Sequence, residues 1–202
     1  TYNDILAKKE VVKLSPNDQA HLNSVFNKVV NPSSRRNEIK YSITVVKDDT
    51  VNAFALPAGY VFVHTGLLSF VNSEGELAGV LAHEVAHIDR KHSMKAITRQ
   101  VGMSFILESI INRGSSDRSK KVGRMGAIAT NLAMLGYSRD AEYQADSYGV
   151  SFMRGAGYNK QEILNFWKRM EAKSGGGKDP SFLKYFSTHP PTGDRIKRIE
   201  AM

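Results

Sequence analysis

The segment ELAGVLAHEVAHIDRKH, Glu76 to His92, constrains this chain more than any other. Ser73 and Glu76 form an S-x-x-E capping box just ahead of it, and Leu77, Val80, Leu81, Val85 and Ile88 recur at helical spacing. A helix with an apolar stripe is therefore expected, and the stripe must be buried. Residues four apart share a helix face, one turn up, so His83 and His87 can offer two imidazoles to one ion. Glu84 lies one step, about 100°, around the helix from His83. From there it can reach a metal-bound water without ligating the metal. The H-E-x-x-H spacing thus places two ligands and a general base on one rigid element, as zinc hydrolysis requires. The plain alternative is a core helix that happens to carry two histidines. Both lie close to the apolar stripe, however, and burying imidazoles without partners is costly. A metal would supply the partner.

A catalytic zinc usually takes three protein ligands and keeps one position open for water. Of the remaining histidines, His21 falls on the distant first helix and reads as a surface residue. His64 ends a strand before Thr65 and reads as structural. His92 follows His83 by nine residues, about 180° around by helical extrapolation, and is expected to face solvent. That leaves His189 or a carboxylate. In SRDAEYQADSYG, Glu142 and Asp146 are again i and i+4, and Ala141 and Ala145 keep that face slim enough to pack closely on the first motif helix. Glu142 could bind the metal while Asp146 accepts the ring N–H of a ligating histidine. An exposed acidic face is the alternative, and the H-E-x-x-H motif tips the balance against it.

The 202 residues suit one domain with a substantial core. There are no cysteines, which excludes a thiol nucleophile, a disulfide framework and a thiolate zinc site. The net charge of +8 is spread along the chain and reads as a solvated basic surface. Nucleic-acid binding would rest on that charge and on RGSSDRSKK alone, without interleaved aromatics, and is not expected. No run approaches the roughly 18 apolar residues of a membrane span. Val101–Ile111 is broken by Glu108 and Met125–Leu135 contains Asn131, so both read as partly buried helices. A helix starts at Ser15 (cap) and Pro16. Tyr41–Val46, VNAFAL and YVFVH read as three strands of a small antiparallel sheet, the last two joined by Pro57, Ala58 and Gly59. Helices follow over Thr65–Phe70, the motif segment, two stretches up to about Leu135, Ser138–Arg154, Gln161–Lys173 and Thr192–Ala201, with NRGSSDRSKK as a loop and SGGGKDP as a joint. The class is α+β, mostly helical: one domain over 1–202, with a helical segment at 1–40 and a core at 41–202.

Taken in order, NAFALPAGYVFVHTGLL, ELAGVLAHEVAHIDRKH, SRDAEYQAD and STHPPTGDR resemble the HtpX and CAAX-prenyl-protease family of gluzincin metallopeptidases. The soluble, BepA-like branch of bacterial envelope proteases is the nearest in pattern, and the resemblance runs from Asn52 to Arg195. It implies a gluzincin-type domain holding one zinc, an endopeptidase activity, and unfolded or misassembled envelope proteins as substrates. It makes His83, His87 and Glu142 the ligands, Glu84 the base and Asp146 the acceptor behind a ligand. The oxyanion needs a donor besides zinc, and His189, Arg195 and Tyr137 are the candidates; the resemblance also implies His189 as a cap on the metal. Substrate is expected to lie extended along Asn52, Ala53, Phe54 and Ala55 by strand addition. The branch implies the periplasm or envelope, with a lipid anchor on the full-length form and peripheral membrane contact both compatible with it. Integral members carry spanning helices, whereas here only the shorter segments around Val101–Leu135 occur, expected to form a plate beside the site. The competing reading is a chaperone-like binding module for unfolded envelope proteins, in which zinc is structural.

Overall fold

The computed structural model describes residues 2–111, 136–174, 180–189 and 193–202. The expected helix Met125–Leu135, the loop NRGSSDRSKK, residues 175–179 of the expected joint and residues 190–192 of STHPPTGDR lie outside the described residues.

Two helices come first, α1 (Tyr2–Lys8) and α2 (Pro16–Val30). Ser15 caps α2, its hydroxyl accepting the Asp18 N–H at 3.2 Å, and Pro16 fills the first turn where no N–H is needed. Three strands follow, β1 (Ser42–Val46), β2 (Ala53–Leu56) and β3 (Tyr60–His64), then α3 (Thr65–Phe70), α4 (Glu74–Asp89) and α5 (His92–Ile111). The described chain continues with α6 (Arg139–Gly155), α7 (Lys160–Lys173), α8 (Pro180–Thr188) and α9 (Gly193–Glu200). Helix α8 was not expected from the sequence. No described helix is long and apolar enough to cross a membrane.

The α+β class holds, but the sheet is mixed rather than antiparallel. Its order is β1-β3-β2, with β2 antiparallel to β3 and β1 parallel to it. The cause is local. Residues 57–59 close a tight β2–β3 hairpin, with Ala58 (φ 69°) and Gly59 (φ 96°) in the left-handed region. A Cβ on Gly59 would lie 2.7 Å from the Lys40 carbonyl oxygen, so glycine is required there. β1 therefore joins on the far side of β3, and the 47–52 loop turns the chain so that β1 and β3 run the same way. The outer edge of β1 is partly covered by residues 10–12, through Val12 N–H to the Val45 carbonyl (2.9 Å) and Lys47 N–H to the Glu10 carbonyl (2.8 Å). In an antiparallel meander β2 would be the paired central strand. Here it is an edge strand lying against α4.

Helix α4 is the axis of the core. Every residue from Gly75 to Asp89 is buried, and α2, α6, α7 and β2 pack around it. Ser73 caps it as expected, accepting the Glu76 N–H at 3.1 Å. Glu76 closes the capping box, accepting the Asn72 N–H, and is clasped by both terminal nitrogens of Arg169 from α7. On α6, Gly149 brings its backbone onto His83: a Cβ there would lie 3.3 Å from the His83 Cα. That close approach seats the second motif against the first.

Candidate active site

His83, Glu84 and His87 project from the centre of α4 and are buried (2%, 0% and 0% exposed). Glu142 and Asp146 come from α6, and Ser138 caps that helix at its start. His189 stands immediately after α8, and Arg195 lies on α9. All are buried, so four helices converge on one point.

The donor atoms face each other. His83 Nε2 lies 3.0 Å from His87 Nε2 and 3.5 Å from Glu142 Oε2, while Glu142 Oε1 is 3.5 Å from His87 Nε2. His189 Nδ1 completes the group, 3.1 Å from Glu142 Oε1 and 3.4 Å from His83 Nε2. One donor atom from each of His83, His87, Glu142 and His189 falls within 4.8 Å of all the others. Two nitrogens bound tetrahedrally to one zinc sit roughly 3.3 Å apart, so the spacing fits a metal. The polar accounting fits too. Both oxygens of Glu84 and Nε2 of His189 are buried with no hydrogen-bond partner. Carboxylate oxygens and imidazole nitrogens gathered in the interior are costly to leave unpaired, and a cation would satisfy them.

The electrostatics follow from the partners. Burial works to lower the His83 pKa, but contacts with the Asp146 and Glu142 carboxylates outweigh it and raise it to about 9. His87 is held well below the usual range, first by burial and then by His83. Burial works to raise Glu142, yet the nearby His189 and Arg195 hold its carboxyl well below the ordinary value. Glu84 goes the other way: burial pushes its carboxyl up, opposed in part by the His189 and His83 charges. Two carboxylates in one site thus differ in proton affinity, the pattern expected of an ionised ligand beside a proton-carrying base.

On the side of His83 away from the donor cluster, its Nδ1 lies 3.0 Å from Asp146 Oδ1. Arg195 donates twice to Asp146 (Nε to Oδ2 and Nη2 to Oδ1, both 2.7 Å), and its Nη1 lies 2.8 Å from Glu142 Oε2. Its guanidinium rests on the Trp167 ring, 4.3 Å from the centroid. All three nitrogens of Arg195 are thus directed at the two carboxylates of α6. Tyr137 stacks flat on His87 (centroids 3.8 Å, interplanar angle 19°), and its hydroxyl lies 2.8 Å from Ser93 Oγ. His64 is buried at the end of β3, its Nδ1 2.8 Å from Thr50 Oγ1, in the structural place expected of it. His21 is exposed on α2.

His92 corrects the sequence reading. It does not face solvent but is buried, its Nδ1 3.0 Å from Nδ1 of His87 and its Nε2 3.4 Å from Gln144 Oε1. Helical extrapolation fails because the helix stops. Arg90 (φ −86°, ψ 2°) closes α4, Lys91 takes the left-handed conformation (φ 58°), and His92 begins α5, folded back over the last turn. Burial lowers its pKa to about 4. A run of DRK without glycine or asparagine gives little sign of such a turn.

Strand β2 faces this cluster. His64 N–H donates to the Asn52 carbonyl at 3.0 Å, which by antiparallel alternation directs the backbone groups of Ala53 and Ala55 away from β3. The Ala55 backbone comes near Glu84. The Asn52 side chain is buried with neither end of its amide paired, and Phe54 stacks on Phe62. A cavity of about 440 Å³ opens beside His87, floored by Ile39, Pro57, Ile88 and Met94.

Residues 16–202 match the model of Peptidase family M48. The chain is 35% identical over 168 residues to mitochondrial metalloendopeptidase OMA1 of Schizosaccharomyces pombe, covering 83% of this chain and 48% of that protein. It is 32% identical over 170 residues to a putative beta-barrel assembly-enhancing protease of Vibrio cholerae, covering 79% and 34% respectively. With the beta-barrel assembly-enhancing protease of Escherichia coli the identity is 25% over 185 residues, covering 87% and 37%. The chain spans half or less of the length of these curated relatives.

Proposed function

The chain belongs to peptidase family M48, and from that premise we propose that it is a zinc-dependent endopeptidase of a bacterial envelope, acting on unfolded or misassembled proteins. The observation that carries the reading is the buried group of His83, His87, Glu142 and His189 beside an unpaired Glu84. His83, His87 and Glu142 would hold one zinc. When bound, the metal would polarise the peptide carbonyl and bring the pKa of its water to roughly 7. Glu84, raised by burial, takes a proton from the attacking water and returns it to the leaving amine. Asp146 keeps His83 in the tautomer whose Nε2 is bare, and Arg195 holds both α6 carboxylates in place. Substrate pairs with the free side of β2 through Ala53 and Ala55, with Asn52 and Phe54 at the same edge.

His189 is the fourth donor, and its Nε2 lies 3.4 Å from Glu84 Oε1. We read it as a cap on the resting site, so that its withdrawal opens the position for water and substrate. With the site open, His189 and the Tyr137 hydroxyl, which now meets Ser93 Oγ, would serve as oxyanion donors. The names of the Vibrio and Escherichia relatives support the envelope assignment.

The test is Glu84→Gln in the wild-type and His189→Ala backgrounds, read by zinc analysis, melting temperature and chelator-sensitive cleavage of casein. Glu84→Gln should keep its zinc and its fold and lose about 10²–10⁴-fold in rate, while His189→Ala should raise basal cleavage. Absence of Glu84- and zinc-dependent hydrolysis in both backgrounds would establish the chaperone-like binding module instead.

A further inference from the structure

The two zinc-facing histidines are backed differently. His83 meets a carboxylate. His87 meets a second imidazole, with Nδ1 of His87 and Nδ1 of His92 3.0 Å apart and both rings buried. Two nitrogens at that distance share one hydrogen between them. His87 Nε2 points into the donor cluster and must be bare to bind a cation, so a neutral His87 carries its hydrogen on Nδ1. His92 Nδ1 is then the acceptor. Its own hydrogen sits on Nε2, directed at the Gln144 carbonyl oxygen 3.4 Å away. Only one arrangement of hydrogens satisfies the whole chain: Gln144 accepts from His92, which accepts from His87, whose remaining lone pair faces the metal.

We propose that His92 is a positioning residue that fixes the tautomer and ring plane of His87 through this two-imidazole chain ending on Gln144. The proposal rests on the reading of His87 as a zinc ligand. The stacked Tyr137 ring blocks rotation of His87 about one axis, and the bond to His92 fixes the other. A neutral acceptor also suits the charge of the site. Glu84, Glu142 and Asp146 already bring three buried carboxyl groups, which the Arg195 guanidinium and one zinc dication would balance, and a fourth carboxylate behind His87 would add uncompensated charge. The left-handed Lys91 gains a purpose in this scheme, since it turns His92 back onto the ligand.

The test compares His92→Phe, which keeps a ring without an acceptor, with His92→Asn, whose amide oxygen can stand near the position of Nδ1. Zinc affinity is measured by competition with a chromogenic chelator. The visible spectrum of the cobalt form and the melting temperature of metal-free protein are recorded alongside. His92→Phe should bind zinc about 10–100-fold more weakly and shift the cobalt bands, and His92→Asn should recover most of both. In wild-type zinc protein, ¹⁵N-histidine spectra should show His87 protonated on Nδ1 and His92 on Nε2, a readout that holds even if a variant fails to fold. Unchanged zinc affinity and cobalt bands in a folded His92→Phe, or a hydrogen on His92 Nδ1, would overturn the proposal and leave the metal reading standing. A wild type that binds no zinc would sink the metal reading itself.

Discussion

Asp146→Asn changes one atom and should unsettle the whole site. Asp146 Oδ1 meets both Arg195 Nη2 and the Nδ1 edge of His83, and Oδ2 takes Arg195 Nε. An asparagine offers one oxygen and one NH₂, and whichever way it turns, the NH₂ confronts a guanidinium N–H at about the 2.7 Å now occupied by a hydrogen bond. Asp146 and Arg195 are 4% and 3% exposed, so solvent does little to screen the loss. Breaking a buried pair from one side costs about 3–5 kcal/mol. Glu142 still faces Arg195 and keeps the figure toward the lower end. At about 2–4 °C per kcal/mol for a chain of this size, the metal-free protein should melt roughly 6–20 °C lower. With His83 no longer fixed, zinc affinity should fall about 10–100-fold. Calorimetry on chelated protein measures the first effect and chelator competition the second. A cycle with Arg195→Met separates the pair from its surroundings: the double variant should lose much less than the sum of the singles. If metal-free Asp146→Asn melts within about 2 °C of wild type, the clamp contributes nothing of the size argued and the reasoning fails.

Three further outcomes can be checked. His83, raised to about 9, carries a proton at neutral pH that zinc must displace; titrations at pH 7.5 in buffers of different ionisation enthalpy should show about one proton released per zinc, and no release would contradict the charge state. Burial works to raise Glu76, but the Arg169 clasp outweighs it and leaves the pKa lowered; such a group adds stability above its unfolded value near 4.5 that fades as pH falls through the folded one. The stability gap between wild type and Glu76→Gln should therefore be wide at pH 6 and narrow at pH 3 in urea unfolding, and a gap independent of pH would rule this out. At Gly66 an added Cβ would run into the Asp49 carbonyl oxygen, a backbone atom that cannot swing aside; Gly66→Ala should cost about 1–3 kcal/mol or more, and an unchanged melting temperature would refute this close approach of α3 to the 47–52 loop.

Local chemistry made much of this molecule readable. Ser15 and Ser73 cap the helices they were expected to cap, because a hydroxyl ahead of an apolar period has few other uses. The i, i+4 spacings carried His83, His87, Glu142 and Asp146 to one side of each helix, and packing of α6 on α4 brought the pairs together. Legibility failed where geometry depends on distant or irregular backbone. The parallel pairing of β1 with β3 is decided by which side of the hairpin the first strand joins, and no residue in Tyr41–Val46 records it. Helix α8 carries the start signal Asp179-Pro180, but the three glycines ahead of it make SGGGKDP read as a joint, and PSFLKYFST is short. His92 was placed by a helical period that one left-handed residue cancels. Arg195 was named from a resemblance, but its bonds to Asp146 and Glu142 join residues roughly fifty positions apart and have no local signature.

The place of Arg195 on α9 has a consequence for when the site is complete. His83 is synthesised 112 residues before Arg195, the residue that bridges Asp146 and Glu142. Until α9 docks, Asp146 and Glu142 lack the guanidinium that bridges them and have only His83 between them. A half-made or misfolded chain therefore carries the motif without the machine. On the proposed reading, the power to cut protein belongs to the assembled tertiary structure, and a copy in which α9 fails to dock lacks it.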